Sequence, residues 1–382
     1  MNRWTQITTF QASPGDPHRP NSTPIYQTAT FGQASVNSLG RYDYSRSGNP
    51  TRDVLESQFA KLEGVAHGFA FASGMAALSA TSRVLSCGQH LVAGIDLYGG
   101  THRLLSQILS RQGIEVSFVD TSDVSAVGKA IKPNTKLVLI ETPSNPLQHI
   151  ADISKLADLA HQAGAWLAVD NTLLSPWLQQ PAQLGADLVI HSATKHLGGH
   201  SDVSAGAVTT DDPELARTLA FVQNAEGTAL SPFDSWLLLR GLQTLPLRIE
   251  RQQASAGHVA AFLASHPQVT RVHYPGLATH PGRDLHFSQA SGAGSVISFE
   301  TGNVQLSERI LSALRLFTIS VSFGSLHSLA SLPCRMSHAS IPVESRHVGE
   351  DLIRLSIGIE DPGDLIASLQ TAIQRASLAR SA

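Results

Sequence analysis

The stretch Leu188-Val189-Ile190-His191-Ser192-Ala193-Thr194-Lys195-His196 governs the reading of the fold. A short apolar run rich in β-branched residues predicts a buried strand. Two hydroxyl residues and a lysine follow directly after it. Four more apolar runs lie upstream: His67–Ala72, Gln89–Asp96, Lys136–Glu141 and Trp166–Asp170. Between two of them, Ile153, Leu156, Leu159 and Ala160 recur at helical spacing, and Gly164 suits a helix end. Strand–helix alternation of this kind predicts an α/β fold with a mostly parallel sheet covered on both faces.

Lys195 has two readings. A lysine at a strand end snorkels to solvent with no further role. A lysine that acts as a nucleophile needs desolvation or a cationic neighbour to lose its proton. A Schiff base to an aldehyde cofactor meets that need. The neighbouring strand ends favour the second reading. Asp170 closes the run Trp166–Val169, and Asn145 lies just past the run 136–140. Ligands of open α/β sheets bind at such ends. A buried Asp170 needs a positive partner. The pyridinium nitrogen of pyridoxal 5'-phosphate (PLP) is one, and its retained proton makes the ring an electron sink. Strand-end capping explains each residue singly. Ser73-Gly74-Met75 follows the run ending at Ala72 and opens a helix, so its amides suit a phosphate, with hydroxyls from Ser192 and Thr194.

Other motifs fail. Gly292-Ala293-Gly294 lacks the third glycine and the helix of a dinucleotide fingerprint. His191, His196 and His200 match no helical metal motif, and Gly198-Gly199 interrupts them.

The chain has 382 residues, 42% hydrophobic and 15% charged, with net charge -3. That supports a large core and gives no basic surface for nucleic acid. The two cysteines, Cys87 and Cys334, cannot build a disulfide scaffold. The start at Met1 shows no apolar signal run, and no segment has the roughly 20 apolar residues of a membrane span. A cytoplasmic enzyme is expected, the alternative being a mature organellar one.

Residues 1–46 are polar and contain Pro14, Pro17, Pro20 and Pro24, so they are expected to form an arm packing on another body, such as a second subunit. Residues 47–240 carry the sheet and 241–382 a smaller α/β domain. A helix is expected to start near Thr51 as N-cap and run through Leu55, Phe59 and Leu62 to Gly64. In the second domain a helix over 247–266, a loop over 274–287, a strand over Gly294–Glu300, a helix over 305–314 and a strand over Asp351–Gly358 are expected.

These motifs resemble the Cys/Met-metabolism PLP enzymes, of aspartate-aminotransferase-like fold. The resemblance runs from about Ser22 to the end. It rests on Tyr44-Ser45-Arg46-Ser47-Gly48-Asn49-Pro50-Thr51, Asp96-Leu97-Tyr98-Gly99-Gly100, Val169-Asp170-Asn171-Thr172, Ser192-Ala193-Thr194-Lys195 and Arg354-Leu355-Ser356-Ile357-Gly358-Ile359-Glu360. It implies that Lys195 is the Schiff-base lysine and proton shuttle, and that Asp170 pairs with the pyridine nitrogen. Tyr98 would stack on the ring. Gly74, Met75, Ser192 and Thr194 would hold the phosphate, with Tyr44 and Arg46 reaching it from a neighbouring subunit. Arg354 would grip the substrate carboxylate, helped by Asn145 and Ser322. The partners implied are an amino-acid substrate and other copies of the chain, in a homotetramer built as a dimer of dimers.

Within the family, the stretches Leu285–Ala290, Val321-Ser322-Phe323-Gly324-Ser325 and Pro333–Pro342 resemble plant-type cystathionine β-lyases. Many γ-acting members carry glutamate where Val321 stands, and methionine γ-lyases typically carry cysteine at the position of Gly100. The implied reaction is α,β-elimination of L-cystathionine. The rivals are γ-synthase, γ-lyase and methionine γ-lyase activity, and a cofactor-free binding protein on the same fold.

Overall fold

The computed structural model describes residues 2–9, 18–339 and 347–378. Pro14 and Pro17 of the expected arm, and Ser340-Ile341-Pro342 of the motif after Pro333, lie outside the described residues.

The five runs read from the sequence are strands β1 (His67–Phe71), β2 (His90–Gly94), β4 (Thr135–Glu141), β5 (Trp166–Asp170) and β6 (Leu188–His191). Two strands join them: β3 (Glu115–Val119) and β7 (Gly206–Thr210). The sheet order is β1-β7-β6-β5-β4-β2-β3, and β7 alone runs against its neighbours. Alternate residues serve opposite faces, as the pleat requires. Leu137, Leu139, Leu188 and Ile190 pack into one apolar core. Val138, Ile140, Leu167, Val169 and Val189 pack into the other, against the helix Ile153–Gln162. Gly164, at φ 66°, closes that helical segment in the left-handed conformation.

The helix expected at Thr51 runs from Pro50 to Glu63. Its cap is Asn49, whose side chain accepts the Thr51 amide at 3.0 Å. Pro50 at the first helical position moves the start back by two residues. The Thr51 hydroxyl instead donates to Pro24 O at 2.7 Å and accepts from the Tyr26 amide at 2.9 Å, holding the N-terminal segment. Among its described residues that segment is largely irregular, with one short helix, Arg3–Thr8. Ile7 buries itself among Leu55, Phe59 and Leu62, and Trp4 meets Trp177 edge-on.

A second sheet comprises β8 (Arg271–His273), β9 (Val296–Glu300), β10 (Thr318–Ile319), β11 (Leu329–Ser331) and β12 (Ile353–Ser356), in the order β10-β11-β12-β9-β8. The helices Val304–Ala313 and Pro362–Leu378 share a core with it. The stretch 274–287 is not wholly a loop, since the helix Arg283–Gln289 begins inside it. The helix Leu245–Ser265 spans both lobes. Leu245 and Ile249 belong to the core of the first lobe, whereas Val259 and Leu263 belong to that of the second.

Candidate active site

The C-terminal ends of β2, β4, β5 and β6 converge on a cavity of about 490 Å³, closed on its other side by residues of the second lobe. It is lined by Gly74, Met75, Tyr98, Asn145, Asp170, Ser192, Thr194, Lys195, Ser322 and Arg354. Of the residues singled out in the sequence, only Tyr44 and Arg46 stay outside it. Both are exposed, with the Arg46 guanidinium over the Tyr44 ring and donating to Asn224 O at 2.7 Å.

Lys195 follows β6 by four residues, and its Nζ donates to Ser322 Oγ at 2.7 Å. Burial, reinforced by the Arg354 guanidinium, brings the amine down to about 8. Ser322 has φ 107°, a left-handed backbone unusual for serine. Its carbonyl accepts from Arg354 Nη2 at 3.1 Å, while Arg354 Nη1 donates to Asn145 Oδ1 at 2.9 Å. Arg354 comes from β12 and Asn145 from the segment after β4, so the second lobe reaches across to the first. Arg354 is 3% exposed, and burial lowers it to about 10. Phe323 lies beneath both cations, 5.4 Å from Lys195 Nζ and 5.6 Å from the Arg354 guanidinium.

Asp170 closes β5. One carboxylate oxygen accepts the Thr172 amide and hydroxyl. Burial raises its pKa, opposed by these hydrogen bonds. Among the described residues, no ion pair reaches Asp170.

The helix Gly74–Ser82 starts at the cavity wall. Ser73 caps it by accepting the Ala76 amide at 3.0 Å, which leaves the amides of Gly74 and Met75 unused. A methyl group at position 74 would lie 2.8 Å from Ser192 Cβ, so only glycine allows this approach. The Thr194 hydroxyl is already committed, donating to Ala205 O and accepting from Ala205 N. The Ser192 side chain is nearer the helix start.

Three lining residues were missed in the sequence. Glu141 closes β4 as Asp170 closes β5, and the same strand-end argument would have found it. Its side chain accepts the Tyr98 amide at 3.2 Å. Burial, followed by repulsion from Asp170 and Asp96, holds it well above the usual carboxylate range. Arg103 lies one helical turn past Tyr98, exposed at the cavity. Ser204 precedes β7, a strand not foreseen. Tyr98 itself is 39% exposed. A Cβ on Gly100 would meet its ring at 2.4 Å, so a side chain there displaces Tyr98.

Cys87 is exposed and Cys334 is buried, and no disulfide joins them. Among the described residues, no group of three His, Cys, Asp or Glu is placed to hold a metal ion, and no helix is long and apolar enough to cross a membrane.

A half-buried amine near its titration point, a half-buried carboxyl with no ion-pair partner among the described residues and a helix start with two unused amides share one cavity. That donor set fits an aldehyde cofactor with a basic ring nitrogen and a phosphate, and it defines a PLP-dependent enzyme. The chain belongs to the Cys/Met metabolism PLP-dependent enzymes, whose sequence model matches residues 5–374. It is 53% identical over 366 residues to the chloroplastic cystathionine beta-lyase of Mimosa pudica, covering 95% of this chain and 80% of that one. It is 49% identical to the cystathionine gamma-lyase of Bacillus subtilis, over 92% and 94% of the two chains. Among solved structures, the cystathionine gamma synthase of Xanthomonas oryzae in complex with cystathionine superposes with TM-score 0.97 at 39% identity, over 99% of each chain. The fold is therefore that of the PLP-dependent trans-sulfuration enzymes.

Proposed function

We propose that the chain is a cystathionine β-lyase, which converts L-cystathionine and water to homocysteine, pyruvate and ammonia. The observation that carries this reading is Val321, half-exposed in the cavity wall next to Ser322. It presents an apolar surface where γ-acting enzymes of this kind often place a carboxylate. The identity to β-lyases of Mimosa pudica (53%) and Arabidopsis thaliana (54%) supports it.

In this reading Lys195 Nζ would hold the cofactor's aldehyde carbon and Asp170 its ring nitrogen. The free amides of Gly74 and Met75, with the Ser192 hydroxyl and the Thr194 hydroxyl once turned away from Ala205 O, would hold its phosphate, and Tyr98 would cover its ring. When bound, PLP supplies an electron-withdrawing ring that spreads the charge left at the substrate's Cα. Arg354 would take the substrate carboxylate as a fork, oriented by Asn145 and Ser322. Lys195 Nζ would remove the Cα proton and deliver a proton to the departing homocysteine sulfur. An amine brought down to about 8 keeps a working neutral fraction near neutral pH.

We propose the same three-part division as before: an arm over 1–46, a cofactor domain over 47–240 and a second domain over 241–382, supported by the two separate sheets. The exposure of Tyr44 and Arg46 outside their own cavity supports their reaching a neighbour's, in a homotetramer.

Product analysis tests the reaction. Purified holoenzyme supplied with L-cystathionine is expected to give pyruvate and homocysteine in equal amounts. The 49% identity to a γ-lyase favours a second reading, and 2-oxobutyrate with cysteine would establish it instead.

A further inference from the structure

Met336, Ser337 and Ala339 form part of the cavity wall. His338, within the same segment, does not line the cavity and is 1% exposed. Its Nε2 lies 3.0 Å from Asn145 O, and its Nδ1 lies 2.9 Å from Ser337 Oγ. A carbonyl oxygen only accepts, so Nε2 carries a proton and donates it to Asn145 O. The histidine therefore fixes the backbone of Asn145, whose side chain meets Arg354. Arg354 continues through Ser322 to Lys195.

We infer that His338 is a positioning residue for the substrate-carboxylate grip, donating from Nε2 to Asn145 O so that the Asn145 amide side chain orients Arg354. The inference rests on the reading of Arg354 as the carboxylate fork. His338 does not itself line the cavity but bonds two residues that do, Ser337 and Asn145, and only Asn145 continues to Arg354, so its effect is expected chiefly on ligands that carry the carboxylate. Loss of the donor leaves a buried carbonyl unpaired and frees Asn145 to rotate. An unmade buried hydrogen bond of this type corresponds to a roughly 5–150-fold loss of affinity.

The test uses holoenzyme and two probes, L-alanine and ethylamine, the latter being L-alanine without its carboxylate. Dissociation constants are read from the visible band of the bound cofactor. His338→Met fills the space without a donor. It is expected to weaken L-alanine about 5–150-fold while leaving ethylamine within roughly twofold. His338→Gln restores an N–H at similar reach and is expected to recover L-alanine binding. His338→Asn, whose amide falls short, gives the same contrast if the methionine variant does not fold. Equal losses for both probes, no loss in either donor-deficient variant, or no recovery in His338→Gln would overturn the assignment. Arg354→Lys separates the two readings. If it spares the preference for L-alanine, the carboxylate fork is wrong and the inference falls with it. If it abolishes the preference while His338→Met does not, His338 alone is wrong.

Discussion

Gly74→Ala tests the anion cradle most directly. The added methyl would lie 2.8 Å from Ser192 Cβ, 2.9 Å from its Oγ and 3.0 Å from its Cα. Carbon atoms pack at about 3.5–4.0 Å, so one side must give by roughly 0.7 Å. Ser192 cannot easily yield, because its amide is held by the Thr172 hydroxyl at 2.8 Å, and Thr172 in turn holds Asp170. The displacement falls on the helix start, where the unused amides of Gly74 and Met75 face the cavity. Overpacking of this kind costs about 1–3 kcal/mol. If that cost appears in ligand binding, PLP affinity falls roughly 5–150-fold, at 1.4 kcal/mol per factor of ten. The assay is titration of cofactor-free Gly74→Ala and parent protein with PLP, read by the bound cofactor's absorbance. Turnover at saturating PLP should recover much of its value. An unchanged PLP dissociation constant would refute the cradle.

Lys195→Ala should lower cystathionine turnover at saturating PLP by more than the roughly 10²–10⁴-fold of a single acid–base contribution, since it removes cofactor tethering and proton transfer together. Near-parental turnover without added amine would reject the assignment. Glu56 bears on stability. Burial, opposed by Arg52 and by hydrogen bonds from Ala70 N and Gln223, raises its carboxyl from 4.5 to about 7 in the folded chain. Below pH 4.5 both states are protonated and the group costs nothing. As pH rises the unfolded carboxyl ionises first, so stability falls until the folded carboxyl also titrates near 7. The loss is at most about 3 kcal/mol, less because 17% of the side chain is exposed. Glu56→Gln should therefore gain melting temperature over the parent on going from pH 5 to pH 8. A difference that does not change with pH would contradict this.

The strands that carry the site were legible because both their faces are buried, which leaves uninterrupted apolar runs such as Leu137–Ile140. The two missed strands of that sheet lack that mark. Glu115-Val116-Ser117-Phe118-Val119 is an edge strand with polar alternation. Gly206-Ala207-Val208-Thr209-Thr210 is small and polar because it passes close to the helix start, where a Cβ on Gly206 would lie 2.2 Å from Ser73 O. Lys195 and Asp170 were visible as local strand-end features. Arg354, Ser322 and His338 act through contacts 32 to 209 residues apart in sequence. No local periodicity encodes such separations. Arg354 and Ser322 were reached only through the family resemblance, and His338 was not singled out at all. Thr51 was assigned the cap because it is a good capping residue, but Pro50 allowed Asn49 to take that place.

The bond between Arg354 and Asn145 also joins the two lobes. A ligand held there has one end fastened to a residue of each half, so it acts as a rivet through a seam. By mass action, whatever loosens the seam weakens the ligand, and whatever saturates the ligand tightens the seam. Because Ser322 meets both Arg354 and Lys195, the same seam sets where the amine stands. In the proposed reading, substrate grip and base position are thus one mechanical variable. A substitution far from the cavity, in the helix Leu245–Ser265 that crosses between the lobes, has a direct route to both.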